Sequence, residues 1–148
     1  MPIRVMVLVK RKPGMSREEF RYRYENGHSR MAIKLFGHVW AEYRRHYLTT
    51  GKTFAQGAES DIEEGAPKLP FDAVSELVFP DASALDEMLR ITSDPEIAAM
   101  INEDEKTLFD RPNSWLVVTD CVEEDLEKAR AAVAKLPLPI ILTFPAAA

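Results

Sequence analysis

The chain has 148 residues, a formal charge of −5 and a sequence pI near 5.3, with arginines scattered among carboxylates, so a phosphate backbone would meet no basic footprint and nucleic acid is excluded as an expected partner. The length suits one domain, 1–148, burying roughly two-thirds of its unfolded surface. The single Cys121 rules out an intramolecular disulfide. The sequence has no signal-peptide pattern and no apolar run near the length of a membrane span, which sets the expectation of a soluble cytoplasmic protein without a membrane partner.

In chain order, residues 3–9 (IRVMVLV) are apolar at nearly every position, as in a strand covered on both faces. Pro13-Gly14 makes a turn, and Ser16 with Glu19 reads as a capping box opening a helix. Phe20, Tyr24, His28, Met31 and Leu35 follow at steps of four, four, three and four, which places them on one helical face. A kink or break is expected at Gly27-His28-Ser29, with a stop at Gly37. Residues 39–50 favour a second strand with mixed faces. Residues 51–70, with Gly51, Gly57, Gly65 and Pro67 and an acidic run from Asp61 to Glu64, read as a loop, either a lid or a plain linker.

A third strand covers 71–79. Asp81 or Ser83 caps a helix carrying Leu85, Met88 and Leu89, and Asp94-Pro95-Glu96 opens another, with a cap, a proline in the first turn and an acid at the positive end of the dipole. The fourth strand is 115–122. The order β-α-β, then β-α-β with its helix in two pieces, is the split βαβ pattern of an α+β, ferredoxin-like fold: a four-stranded antiparallel sheet with helices on one face. An extension, 123–148, adds a helix to Leu136 and the apolar stretch 140–144. That stretch is expected on a partner subunit or over a cleft.

Metal chemistry is not indicated, because the three histidines are far apart and one cysteine cannot build a thiolate site; no phosphate loop, dinucleotide fingerprint or nucleophile elbow is present. No cofactor is expected. The remaining signal is a pocket. His28 on the inward stripe and His46 on the second strand converge if the helices lie across the sheet, with Tyr24, Trp40 and Tyr43 as aromatic walls. A partly desolvated imidazole is a competent general acid or base. Equally, His28 fits a core histidine bonded to a backbone carbonyl, and His46 a solvated or interface residue. His38 reads as surface and Cys121 as a small buried hydrophobe.

The opening KRKPGMSREEF, the histidine after the first helix, the strand DAVSELVF and the block SDPEIAAMINEDEKTLFDRPNSWLVV resemble the EthD family over residues 3–122. This resemblance implies a dimeric α+β barrel, in which two ferredoxin-like subunits join their sheets. It also implies a family that includes an accessory protein of ether degradation, muconolactone-type isomerases, decarboxylases, dehydratases and cyclases, commonly without metal or organic cofactor. His28 matches the family histidine by position, while Ser29-Arg30 stands where the family has a small residue and proline.

The resulting expectation is a homodimeric, cofactor-independent lyase, isomerase or cyclase for a small aromatic, lactone or polyketide-like compound. His28 would act as acid/base, His46, Tyr24 and Tyr43 would orient or polarise the substrate, and Trp40, Phe71 and Phe79 would form walls. The rival expectation is a non-catalytic small-molecule-binding or accessory protein. A cofactor-free monooxygenase ranks below both.

Overall fold

A computed structural model of the chain describes residues 1–54, 63–64 and 69–145. Four strands, β1 (Ile3–Val9), β2 (Glu42–Tyr47), β5 (Ala73–Phe79) and β6 (Trp115–Thr119), form one sheet in the order β2-β5-β1-β6. Every pairing is antiparallel, with Val5 opposite Leu77 on one side and Val118 on the other. This is the ferredoxin-like α+β fold that the element order implied. A two-residue ladder, β3 (Thr50–Gly51) with β4 (Glu63–Glu64), stands apart from the sheet. The loop expected over 51–70, whether lid or plain linker, falls mainly on residues outside those described.

Strand alternation sorts the sheet into two faces. Val5 and Val9 of β1, with Ala73, Leu77 and Phe79 of β5, are buried under the helices. The far face carries Arg4, Met6 and Leu8, and Arg4 pairs with Glu76 across the strands at 2.8 Å. The first strand's double-sided apolarity therefore reads correctly for the helix side, while its far side is half-buried and includes an ion pair.

In the helical segment from Arg17 to Phe36 the expected kink or break takes the form of a π turn, after which a second helix runs to Phe36. Ser16 does cap α1 (Arg17–Arg23), its hydroxyl accepting from Glu19 N, while the Glu19 carboxylate goes to Arg23 rather than closing a box. At Tyr24–His28 the chain winds into a π-helical turn, with Ser29 N–H donating to Tyr24 O, and then continues as α2 (Ser29–Phe36). Buried positions run Phe20, Tyr24, Ser29, Ala32, Phe36, with one step of five across the π turn. The extra residue moves the core stripe on by one. His28 and Met31, counted as core by a regular period, are displaced to its edge. Gly37 ends the helix in ordinary helical backbone, and the need for glycine is steric: a Cβ there would meet Ile33 O at 2.6 Å.

Two further helices complete the covering layer. α3 (Ala82–Thr92) is capped by Asp81, and α4 (Pro95–Leu108) by Asp94, whose carboxylate accepts from Glu96 N and Ile97 N. The end of α4 is tied back to the first strand's exit: Lys12 N donates to Leu108 O and Asp110 N to Lys10 O. That clamp sets Phe109 into the core beside Phe20 and Tyr24. Past β6, which ends at Thr119 rather than 122, the extension forms a short helix, α5 (Leu126–Val133), and an extended stretch. Cys121 is exposed, not buried, because the strand has already ended before it.

Candidate functional site

The covering helices meet the sheet in two apolar clusters, one around Phe20, Tyr24 and Phe109 and one around Phe36, Leu77 and Phe79. Between them lies a cavity of about 380 Å³, within the range of small-molecule sites. Its wall includes Tyr24, His28, Trp40 and Tyr43, four of the seven residues singled out from sequence. The π turn supplies the first two, and the loop into β2 and β2 itself supply the others.

His28 is held from three sides. Its Nδ1 lies 2.5 Å from Asp104 Oδ2 on α4, and the rings of Tyr24 and Phe109 meet it edge-on at 5.3 and 4.9 Å. With Nδ1 committed to the carboxylate, Nε2 is the ring nitrogen available to a ligand. The partner is thus an acid rather than the backbone carbonyl of a core histidine. Asp104 escaped sequence reading, yet the signal was present: it sits on the Ile101–Leu108 stripe of α4, a titratable group on an inward face like His28 itself.

The sheet side of the cavity is a set of hydroxyls. Tyr24 OH and Ser75 Oγ are 2.7 Å apart and buried. Burial pushes the Tyr24 phenol well above its ordinary value, and burial likewise raises Tyr43, so both stay neutral hydrogen-bonding groups across the working pH range. Trp40 packs against Tyr43 at 4.9 Å and Phe36 at 5.8 Å, and its indole N–H has no acceptor among the described residues.

Behind this wall a second network fixes β2 against the π turn. Arg45 donates through Nε and Nη2 to the two Glu25 oxygens at 2.9 and 2.8 Å, Tyr47 OH donates to Glu25 Oε1 at 2.7 Å, and the Arg45 guanidinium lies over the Tyr43 ring. The Arg45 hydrogen bonds are the largest influence holding the Glu25 carboxyl down at about 2, with Tyr47 adding to the effect. A carboxyl lowered on folding stabilises the fold above its ordinary value of 4.5, and that contribution is lost as pH falls toward about 2. Urea unfolding of the natural chain and of Glu25→Gln should therefore show a stability gap at pH 6 that closes near pH 2. A gap independent of pH would remove this role for Glu25.

The remaining predicted residues lie elsewhere. Alternation along β2 turns Tyr43, Arg45 and Tyr47 toward the helices and leaves His46 exposed on the far face, opposite Val74, so His46 and His28 do not converge. Phe79 is fully buried in the second apolar cluster and Phe71 is half-buried ahead of β5; neither reaches the cavity wall. Glu105 and Arg111, paired at 3.1 Å, do line it and were not anticipated. Among the described residues no helix is long and apolar enough to cross a membrane.

A family model described as the EthD domain matches residues 12–112. Solved structures with the same fold include an ethyl tert-butyl ether D (EthD) family protein from Bacillus halodurans, 15% identical with a TM-score of 0.54, covering 82% of this chain and 100% of its own. An EthD-like protein from Ralstonia eutropha is 18% identical with a TM-score of 0.52, covering 84% of this chain and 96% of its own. No curated protein matches the chain.

Proposed function

The chain belongs to the EthD domain family, and from that premise we propose that it is a cofactor-independent lyase, isomerase or cyclase acting on a small aromatic, lactone or polyketide-like compound held between sheet and helices. The observation that carries this reading is the His28–Asp104 pair, 2.5 Å apart, on the wall of a largely aromatic and aliphatic cavity. Asp104 accepts a hydrogen bond from Nδ1–H, which orients the ring and stabilises the imidazolium. Nε2 then takes a proton from a substrate carbon or hydroxyl and returns it, to a second carbon in an isomerisation or to the leaving hydroxyl in a dehydration. Tyr43 and the Tyr24–Ser75 pair offer neutral hydroxyls to a substrate oxygen, and Trp40 forms an apolar wall.

The same proposal includes assembly as a homodimer through the far face of the sheet. Met6 and Leu8 on β1 and the exposed Trp115 and Val117 on β6 give that face an apolar centre, flanked by the Arg4–Glu76 pair.

The test is to titrate protein carrying nitrogen-labelled histidine with a panel of aromatic ketones, lactones and aromatic acids, following His28 by NMR and the compound by mass spectrometry. A compound that shifts the His28 resonances and is converted supports the reading. Shifts without conversion across the whole panel favour the rival, a ligand-binding accessory protein. Ligands that bind without moving His28 remove the site.

A further inference from the structure

The segment after β6 lies beyond the family match, and among its described residues none is buried. α5 has eight residues, with its start capped by Asp125, which accepts from Lys128 N. A helix of that length is marginal in water without a surface to pack on. After it, residues 136–145 carry no charge, and Leu138 (85% exposed), Ile141 (89%), Leu142 (88%) and Phe144 (90%) stand in solvent. The edge strand is equally bare: Trp115 is 61% and Leu116 54% exposed. Leu116 pairs with Val7, on the helix side, and both line the cavity, so the cavity wall is uncovered along β6.

We propose that the segment from Leu126 to Phe144 is an exchange arm: in a pair of copies, the arm of each lies against β6 of the other and covers the open side of its cavity. This rests on the two-copy assembly proposed above and goes beyond it. A second copy fits because every chain carries one arm and one bare strand, the self-complementarity of a two-fold contact. The arm's root also points that way. Glu123 is bound to Arg4 at 2.7 Å, and Arg4 stands on the far face of the sheet, so the arm leaves on the side away from its own cavity. Covering these side chains would bury on the order of 1,000 Å² per protomer, and a symmetric pair then falls in the range of stable interfaces. An arm without charge from 136 onward has nothing to attract an acidic or basic partner.

Cross-linking tests the inference directly. In a Cys121→Ser background, a chain with Leu116→Cys, on the cavity side of β6, is mixed with a chain with Leu142→Cys and oxidised. An inter-chain disulfide is expected, well above that from Leu116→Cys mixed with Glu18→Cys, a surface position on α1. In sedimentation, Ile141→Asp with Leu142→Asp should weaken the pair about a hundredfold or more, a loss of the order expected when charge enters an apolar contact. Both substituted residues are exposed in the single chain, so folding is preserved. A natural chain that is monomeric at every concentration overturns the assembly and the arm together. A double variant that pairs as tightly as the natural chain, or a cross-link no stronger than the control, overturns the arm and leaves the assembly standing.

Discussion

Replacing His28 by alanine is expected to lower turnover about a hundredfold or more, the range that a positioned acid or base contributes, while the protein stays folded. The two halves of that expectation have separate grounds. The imidazole is the group that Asp104 orients at 2.5 Å, and without it the cavity wall offers neutral hydroxyls and a Glu105 already paired with Arg111. Stability is spared because Asp104 keeps 29% of its side chain in contact with solvent, so water solvates the carboxylate when its partner is gone. The measurement is kcat/KM on a compound that the His28 resonances respond to, with urea unfolding alongside. An unchanged rate would end the acid/base assignment. Asp104→Asn sharpens it, since the amide keeps the shape but not the charge: kcat should fall with little change in KM if the carboxylate acts by stabilising the imidazolium.

Phe20→Ala is the complementary case, with the loss falling on stability. Phe20 is 1% exposed and meets the rings of Tyr24, Tyr47 and Phe109 edge-on at 5.7, 6.3 and 6.1 Å. Truncation removes the transfer free energy of a phenyl ring and leaves a cavity that three large rings cannot easily fill, at a cost of about 3–5 kcal/mol. That is a large share of the roughly 5–15 kcal/mol typical of a folded domain. Urea unfolding should show a lower midpoint at similar slope. A loss under about 1 kcal/mol would mean that the aromatic cluster can repack, contrary to this account. Because Tyr24 and Phe109 also hold His28, the variant should lose turnover as well.

Most of the fold was legible in local sequence signals. Ser16, Asp81 and Asp94 each cap a helix at an expected start, apolar runs mark three of the strands, and aromatic and β-branched residues mark the second. The cavity wall was legible at Tyr24, His28, Trp40 and Tyr43, whereas His46, Phe71 and Phe79 lie off it. A period of two along residues 42–47 puts Tyr43 and His46 on opposite faces, so one strand cannot bring both to the same cavity. A period of 3.6 along residues 20–35 counts His28 as core, and only the π turn makes it a cavity residue. Asp104 was out of reach for another reason. Its place on an inward stripe was visible, but which helix it faces depends on packing between elements 76 residues apart in sequence.

The π turn at Tyr24–His28 can also be described as a phase shifter. One added residue rotates everything after it by about 100° relative to a regular helix. Upstream of the turn the inward positions serve packing alone; at and beyond it, His28 and Met31, which a regular helix would bury, stand on the cavity wall, and Ser29, Ala32 and Phe36 take over the packing. Core and site are therefore two readings of one helix, offset by a residue. A change of side chain at His28 or Met31 alters the cavity wall, whereas a change in the segment's length by one residue turns both away from it.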